Sequence, residues 1–186
     1  MPGWPDLEHF LPPLGPRTSR PTPPFALRRP TEDDHAGLLD RIRPWFDGPD
    51  IRPALPRLWF RHHAGTSWLA ESSDGRALGF LVGFLSPDRT GEAVLHLVGV
   101  DPELRRRGIG RQLVEAFAAD AGRRGATTMS TLVRPDDRAT LLFFRALGFE
   151  PDDGPGTRRL YGIPAYGDWD GPGQDRALLS RAIGRA

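Results

Sequence analysis

Residues 105–111, RRRGIGR, place three consecutive arginines in front of two glycines. They follow an apolar run that ends at Val100, and the periodicity after them predicts an amphipathic helix beginning at Gly108. The N-terminus of a helix offers unpaired N–H groups and the positive end of its dipole. Glycines let the main chain approach an anion, and arginines add charge-assisted hydrogen bonds. The stretch therefore indicates a seat for a pyrophosphate, with a solvated charge run between a strand and a helix as the alternative.

The spacing of these glycines separates the stretch from two common nucleotide-binding loops. A G-x-x-x-x-G-K-(S/T) loop requires a lysine, and all 25 basic residues of the chain are arginine. The dinucleotide motif G-x-G-x-x-G lacks its first glycine here. We therefore expect a phosphate site of another kind.

The elements around this stretch predict an α/β protein with helices layered on a mixed sheet. One helix is predicted to begin at Thr31 as its N-cap, and a final strand is predicted to begin near Asp175. Strand patterns cover residues 25–28, 67–71, 77–85, 92–100 and 127–133, and helical patterns cover 31–46, 55–62, 108–122 and 139–147.

Composition excludes several classes of chemistry. The 186-residue chain has no cysteine, so disulfides, thiolate nucleophiles and cysteine-ligated zinc are excluded. The absence of lysine excludes a lysine Schiff base. A formal net charge of +1 argues against nucleic acid or an anionic membrane as the partner. We expect a cytoplasmic protein, since no apolar run approaches the roughly 18 residues of a membrane span and prolines interrupt any candidate signal peptide.

The first part of the chain differs from the rest in its proline content. Residues 1–24 hold eight of the 20 prolines, which remove backbone donors and favour an extended chain. We therefore expect a disordered tail over residues 1–24, followed by one domain over residues 25–186.

Two motifs of the chain resemble those of the GNAT N-acetyltransferase superfamily. Residues 105–110 resemble its acetyl-CoA signature, (Q/R)-x-x-G-x-(G/A), which follows the fourth strand of the fold. Residues 134–149 resemble a later segment, N-x-x-A-x-x-x-(Y/F)-x-x-x-G-F, at the family's usual separation. The resemblance covers roughly residues 25–150. It implies the GNAT fold, a mixed, mostly antiparallel central sheet flanked by helices.

This resemblance implies acetyl-CoA as the acyl donor, held in a V-shaped opening between the fourth and fifth strands. Main-chain groups of Val98 and Val100 are expected to pair with the pantetheine arm or the thioester carbonyl. The pyrophosphate is expected on main-chain N–H groups from Arg106 through Arg111, flanked by arginine side chains. The implied cofactor-binding set is Val98, Gly99, Val100, Arg105, Arg106, Arg107, Gly108, Ile109, Gly110, Arg111, Asp137 and Phe144.

Two positions depart from the family's pattern. Asp137 stands where asparagine is usual, which puts one pantetheine hydrogen bond in doubt. Phe144 stands where a tyrosine often protonates the departing CoA thiolate, and phenylalanine has no proton to give. We expect Phe144 to pack against the cofactor, with solvent supplying the proton. Tyr161 and Tyr166 are the alternative acids.

The chemistry of the acceptor draws attention to His96 and Glu92. An alkyl amine, with a pKa of about 10, is mostly protonated near neutral pH, so a base helps to make it nucleophilic. Both residues lie at even spacings from Val98 in the strand 92–100, which puts all three on one face unless a bulge intervenes. His96 has the ring chemistry suited to this role. The alternative is a buried histidine that hydrogen-bonds the neighbouring strand.

The helical region over residues 45–63 is predicted to build the acceptor side. Its aromatic and charged side chains would form a wall, whereas Leu58 and Trp59 serve as well in the core. The predicted substrate-binding residues are Trp45, Phe46, Arg57 and Phe60. No metal is predicted, because the adjacent residues His62 and His63 point about 100° apart on a helix and no carboxylate triad joins them.

These features together predict transfer of an acetyl group from acetyl-CoA to a primary amine by direct attack in a ternary complex. The expected acceptor is a small-molecule or peptide amine, with no nucleic acid and no membrane involved. A non-catalytic acyl-CoA-binding regulatory module is the alternative, supported by Phe144 and by the uncertain base. An arginine-rich nucleic-acid binder is a third possibility. Many proteins of this fold are dimers, so a homodimer is open.

Overall fold

The computed structural model describes Trp4, residues 23–46 and residues 50–184. The predicted disorder of residues 1–24 falls on a segment that, apart from Trp4 and residues 23–24, lies outside the described residues. The chain forms two compact units. The larger unit comprises Arg17–Thr127 with Ile183–Ala186, and the smaller unit comprises Met1–Pro16 with Thr128–Ala182.

The larger unit carries four strands that pair antiparallel in chain order, β1 with β2, β2 with β3, and β3 with β4. Its helices flank the strands in sequence, two before β2 and one after β4. The elements are β1 Phe25–Arg28, α1 Asp34–Ile42, α2 Leu58–His62, β2 Trp68–Ser72, β3 Ala77–Leu85, β4 Glu92–Val100 and α3 Ile109–Arg123. These bounds match the predicted elements closely for β1, β3, β4 and α3.

The smaller unit is built on a strand near the C-terminal end of the described chain, which pairs antiparallel with two others, β5 and β6. A two-stranded hairpin, β7 with β8, joins this unit and was not predicted. The elements are β5 Thr128–Val133, α4 Arg138–Arg145, β6 Glu150–Pro151, β7 Arg158–Leu160, β8 Ile163–Ala165 and β9 Ala177–Ala182. The indole Nε1 of Trp4 donates a hydrogen bond to the Phe149 carbonyl at 3.0 Å.

Side chains on the two faces of β3 define the core of the larger unit. One face carries Phe80 and Val82 into a buried group that we call the α1–α2 cluster. Its members are Leu38, Ile42, Trp45, Leu55, Trp59, Phe60, Leu69, Ala77, Phe80 and Val82. The other face approaches α3 so closely that a Cβ at Gly83 would lie 2.8 Å from the Phe117 ring. Glycine therefore allows α3 to pack directly on the backbone of β3.

The first helix begins later than the sequence predicted. Thr31 does not cap it, and α1 starts at Asp34. The reason is local, because the Asp34 carboxylate accepts hydrogen bonds from the Thr31 main-chain N–H at 2.6 Å and from its hydroxyl at 3.0 Å. The same carboxylate pairs with the Arg28 guanidinium at 2.7 Å. Arg28 also pairs with Glu71 of β2 at 2.6 Å, so one guanidinium links β1, β2 and the start of α1.

Candidate active site

The connection from β4 to α3 turns sharply at two residues with left-handed backbone. Asp101 opens it by accepting a hydrogen bond from the Glu103 N–H at 3.1 Å, which supports a short 3-10 turn. Arg106 follows with a φ of 61°, and Gly108, at the N-cap of α3, has a φ of 87°. A non-glycine residue in this region is uncommon and marks a constrained loop. These two residues therefore fix the direction in which the chain enters the first turn of α3.

The first turn of α3 presents main-chain N–H groups, because the helix supplies no earlier carbonyl to accept from Ile109 and Gly110. Ile109 itself is anchored, with its side chain 1% exposed. Gly108 is exposed, and a Cβ placed on it would meet nothing within 4 Å. The helix start is consequently held in place by the core and open at the glycine, as an anion site at a helix N-terminus requires.

The first arginine of the loop has a structural role. Arg105 donates from Nε to the Val100 carbonyl at 3.4 Å, and its Nη2 donates to the Trp45 carbonyl. It therefore joins the end of β4 to the segment after α1 rather than projecting freely into solvent. Arg106 and Arg111 are exposed and Arg107 is half-buried. Their predicted contact with a pyrophosphate stays a prediction.

A β-bulge interrupts β4 at His96. Across the strand pair, Val82 lies opposite Leu97 while the next residue, Gly83, lies opposite Leu95. His96 is thus the extra residue, and the strand changes the parity of its side chains there. The sequence left this possibility open, but the bulge cannot be located without the register of β3.

The bulge puts His96 and Val98 on opposite faces. The His96 ring stacks on Trp59 of α2, with ring centroids 4.4 Å apart and an interplanar angle of 19°. Leu97 also packs against the α1–α2 cluster, so Val98 projects from the other face. Glu92 precedes the bulge at an even spacing and shares the face of His96. The bulge, which the sequence had left open as the exception, therefore takes Val98 off the face that Glu92 and His96 share.

The His96 imidazole is held in one tautomer when it is neutral. Its Nε2 lies 2.8 Å from the Ala54 carbonyl, which can only accept, so Nε2 carries the proton. Nδ1 is then the basic nitrogen of the neutral ring. His96 is exposed despite the stacking on Trp59. The geometry thus gives an oriented, solvent-accessible imidazole at a bulge, and the predicted alternative of a buried histidine bonded to the neighbouring strand is not what is seen.

Glu92 occupies a different environment at the start of β4. Its carboxylate lies 3.7 Å from the Arg89 guanidinium, and its side chain is 20% exposed. Glu92 as a base stays a prediction. Of the two candidate bases, His96 has the more exposed side chain.

Main-chain groups of Val98 and Val100 point away from β3. The Asp101 N–H bonds the Leu78 carbonyl at 3.0 Å, and in an antiparallel pair such bonds recur at every second residue. Val98 and Val100 therefore lie at the alternate positions, whose N–H and C=O groups face the other way. Arg105 reaches one of them, the Val100 carbonyl.

The predicted acceptor wall divides between core and surface. Trp45 and Phe60 are 5% and 2% exposed and belong to the α1–α2 cluster. Phe46 is half-buried, and Arg57 is exposed with its Nε donating to Glu32 at 2.7 Å. The prediction of an acceptor surface in this region therefore rests on Phe46 and Arg57. Aromatic residues in a helical pattern do not reveal from sequence which of them face the core.

Asp137 and Phe144 belong to the smaller unit. Asp137 caps α4, because its Oδ1 accepts from the Thr140 N–H at 3.0 Å. Phe144 is 2% exposed and meets Phe149 edge-on, with ring centroids 4.9 Å apart. Both side chains have structural roles, and their predicted contacts with the cofactor stay predictions. The Tyr166 hydroxyl donates to Asp152 at 2.6 Å.

Among the described residues, no group of three or more histidine, aspartate or glutamate side chains is arranged to hold a metal ion. In the same part of the chain, no helix is both long and apolar enough to cross a membrane.

Comparison with known proteins agrees with the fold. Residues 32–149, more than half of the chain, match the Acetyltransferase (GNAT) family, and the chain belongs to that family. The predicted fold class is confirmed, a mostly antiparallel mixed sheet flanked by helices.

Two relatives indicate the range of acceptors within this similarity. An L-2,4-diaminobutyric acid acetyltransferase of Nocardia farcinica is 36% identical over 90 residues, which are 48% of this chain and 46% of that protein. The N-alpha-acetyltransferase RimI of Mycobacterium tuberculosis is 37% identical over 100 residues, 49% of this chain and 60% of that protein. The chain spans about half the length of the curated relatives it matches.

A solved structure extends the similarity of the fold. Diaminobutyrate acetyltransferase EctA from Paenibacillus lautus, in complex with L-2,4-diaminobutyric acid and coenzyme A, has a TM-score of 0.64 to this chain. The alignment covers 87% of this chain and 96% of that one, at 20% sequence identity. An identity this low shows the fold alone.

Proposed function

We propose that this protein transfers an acetyl group from acetyl-CoA to a primary amine. The observation that carries the proposal is the connection between β4 and α3, where an exposed, left-handed Gly108 leads into a helix whose first-turn N–H groups have no earlier helical carbonyl to bond. In this proposal the cofactor pyrophosphate lies on the N–H groups of Ile109 and Gly110. The surrounding arginines add charge, with Arg105 bracing the loop.

The main chain at the end of β4 would bind the reactive end of the cofactor. Val98 and Val100 direct their N–H and C=O groups away from β3, as the Asp101 bond to Leu78 indicates. A main-chain N–H in that position can polarise a thioester carbonyl and stabilise the negative charge that develops on its oxygen. The side chains of both valines pack while their main chain serves the ligand.

The proposed reaction is a direct displacement. The amine nitrogen attacks the thioester carbonyl carbon, forming the C–N bond and a tetrahedral oxyanion. Collapse of that species breaks the C–S bond and releases CoA as the thiolate, which takes a proton from solvent. The proton lost by the amine passes to Nδ1 of His96, directly or through one water, because Nε2 is already bonded to Ala54. No covalent intermediate with the protein is formed.

A primary amine is the acceptor class that the relatives support. They include a protein named for acetylating L-2,4-diaminobutyric acid and another named as an N-alpha-acetyltransferase. In this proposal the acceptor contacts Phe46 and Arg57, whose side chains retain exposed surface.

The direct test is turnover by the full chain. Acetyl-CoA is incubated with a panel that includes L-2,4-diaminobutyrate and a short peptide with a free N-terminus. Release of CoA thiol is followed together with the mass of the acetylated product. The proposal expects both in equal amounts for at least one amine. Binding of acetyl-CoA with no product from any amine would contradict it and favour a non-catalytic acyl-CoA-binding module, for which the buried Phe144 is the supporting observation.

A further inference from the structure

The larger unit contains a surface pocket of about 290 Å³ that none of the roles above uses. It lies where the end of α2, the following 3-10 turn, the end of β3 and the end of α3 meet. Its lining residues are His62, His63, Gly65, Thr66, Phe84, Leu85 and Arg124. Arg124 follows α3, a helix of 15 residues and therefore about 22 Å in length. The pocket is thus one helix length away from the loop at Gly108.

The charged side of this pocket is positive. Arg124 is held in place by its Nη2, which donates to the Gly65 carbonyl at 2.8 Å. Behind it, the buried Asp120 carboxylate is shared by three arginines, Arg29 at 2.8 Å and Arg123 and Arg124 at 3.3 Å. One negative charge therefore faces three positive ones. The C-terminal end of α3 adds only about half a negative charge, so the local balance stays positive.

The other side of the pocket is formed largely by two aromatic rings. The rings of His63 and Phe84 lie with their centroids 5.7 Å apart. Burial lowers the pKa of His63, as does the neighbouring His62, so His63 presents a neutral ring to the pocket. The Thr66 hydroxyl already donates to the Gly83 carbonyl at 2.6 Å. Among the lining side chains, Arg124 then supplies the positive charge for polar recognition.

We propose that this pocket binds a small carboxylic acid, with its carboxylate on Arg124 and its apolar part against His63 and Phe84. Two protein contacts hold the Arg124 guanidinium in place. A guanidinium suits a carboxylate because the hydrogen bonds between the two groups are charge-assisted. No carboxylate side chain is among the lining residues, so the ligand's charge meets none of its own sign at the wall.

Two kinds of molecule can supply the carboxylate that this pocket would bind. It could belong to the amine acceptor itself, or to a separate acid that regulates the protein. The pocket is linked to the candidate base, since Trp59 lies between His63 at 4.9 Å and His96 at 4.4 Å, measured between ring centroids. The choice between acceptor and regulatory acid rests on the proposed acetyltransferase function. The proposal that the pocket binds a carboxylic acid does not rest on it.

Binding is tested on the full chain with benzoate as the probe and benzamide as its uncharged control. Titration is followed by the NMR signals of the histidine rings. We expect benzoate to shift the His62 and His63 signals saturably, and benzamide not to. Arg124→Gln should weaken benzoate binding about tenfold, the loss typical of a charged hydrogen bond. Arg124→Lys should retain part of the affinity. Arg123→Gln is the matched control, because Arg123 pairs with Asp120 without lining the pocket.

The proposal is overturned if benzoate causes no saturable shift, if benzamide binds equally well, or if Arg123→Gln weakens binding as much as Arg124→Gln. The source is then resolved by acetylation of 4-(aminomethyl)benzoate and of its amide. If the acceptor's carboxylate lies in the pocket, Arg124→Gln should raise KM about tenfold for 4-(aminomethyl)benzoate but not for its amide. A regulatory acid predicts that free benzoate changes kcat for benzylamine without competing with it. A protein with no activity on any amine would sink the proposed function and leave the NMR result to decide the binding claim.

Discussion

His96 and His35 form hydrogen bonds to two neighbouring carbonyls in the segment between α1 and α2. The Nε2 of His96 lies 2.8 Å from the Ala54 carbonyl, and the Nε2 of His35 lies 3.0 Å from the Leu55 carbonyl. Each ring also contacts an aromatic side chain of α2, Trp59 for His96 and Phe60 for His35. Two imidazoles in matched surroundings therefore allow a structural role to be separated from a chemical one.

Replacing His96 by glutamine should lower kcat by at least about a hundredfold, the contribution typical of a general base. Glutamine keeps a side-chain N–H for the Ala54 carbonyl but cannot accept the proton of the amine. Affinity for acetyl-CoA, measured by calorimetry, should be unchanged. His35→Gln is the control and should change kcat only slightly. An equal loss of kcat in the two variants would mean that His96 only holds the Ala54–Leu55 segment.

Glycine at position 83 should be essential to packing. A Cβ there would lie 2.7 Å from the Val94 carbonyl oxygen and 2.8 Å from the Phe117 ring, so the carbonyl or the buried ring would have to shift. Gly83→Ala should therefore lower the free energy of unfolding by about 1–3 kcal/mol in urea titrations. Gly37, inside α1, has nothing within 4 Å of such a Cβ. Gly37→Ala should instead raise the free energy of unfolding by about 0.5–1 kcal/mol. Similar effects of the two changes would refute the close approach of α3 to β3.

Acid should weaken the junction between β1 and α1. Hydrogen bonds from Arg28 lower the pKa of Asp34 from its ordinary 3.8 to about 2. The unfolded chain therefore binds this proton first, so the stabilisation is present above about pH 4 and is lost as the pH falls toward 2. Asp34→Asn should lower the free energy of unfolding at pH 7 by about 1 kcal/mol, with the difference vanishing near pH 2. The exposed neighbour Asp33 supplies the control for the loss of one carboxylate, and Asp33→Asn should lower the free energy of unfolding at pH 7 by less than Asp34→Asn does.

Arg105 should support the loop more than the charge of the site. Its guanidinium holds the carbonyls of Trp45 and Val100. Arg105→Gln should therefore lower the melting temperature as well as the affinity for acetyl-CoA. Arg106→Gln, measured in parallel by thermal unfolding and calorimetry, should lower the affinity for acetyl-CoA. Loss of affinity in Arg105→Gln without any loss of stability would indicate that Arg105 acts as a ligand to the phosphates.

Sequence patterns predicted the central strands and α3 well because apolar periodicity and flanking turns are local signals. The bulge at His96 was not located, since it depends on the register between β3 and β4. The late start of α1 depends on the contacts of the Asp34 carboxylate with Thr31 and Arg28, which are not visible in helix-capping patterns. Trp45 and Phe60 are apolar enough for either a core or a binding wall, and only packing distinguishes the two. The glycines at positions 108 and 110 after three arginines are a local signal as well, and their assignment to the cofactor stays a prediction.

The pyrophosphate seat at Gly108 is tested most directly by titrating acetyl-CoA calorimetrically into the wild type, Gly108→Asn and Gly108→Asp. A Cβ at this position meets nothing within 4 Å, and both new side chains tolerate the left-handed φ of 87° better than most residues do. The two variants therefore differ mainly in one negative charge at the start of α3. We predict similar affinities for the wild type and Gly108→Asn, and a loss of about tenfold or more for Gly108→Asp. Equal binding by the two variants, or no binding by the wild type, would contradict the assignment of this loop to the cofactor.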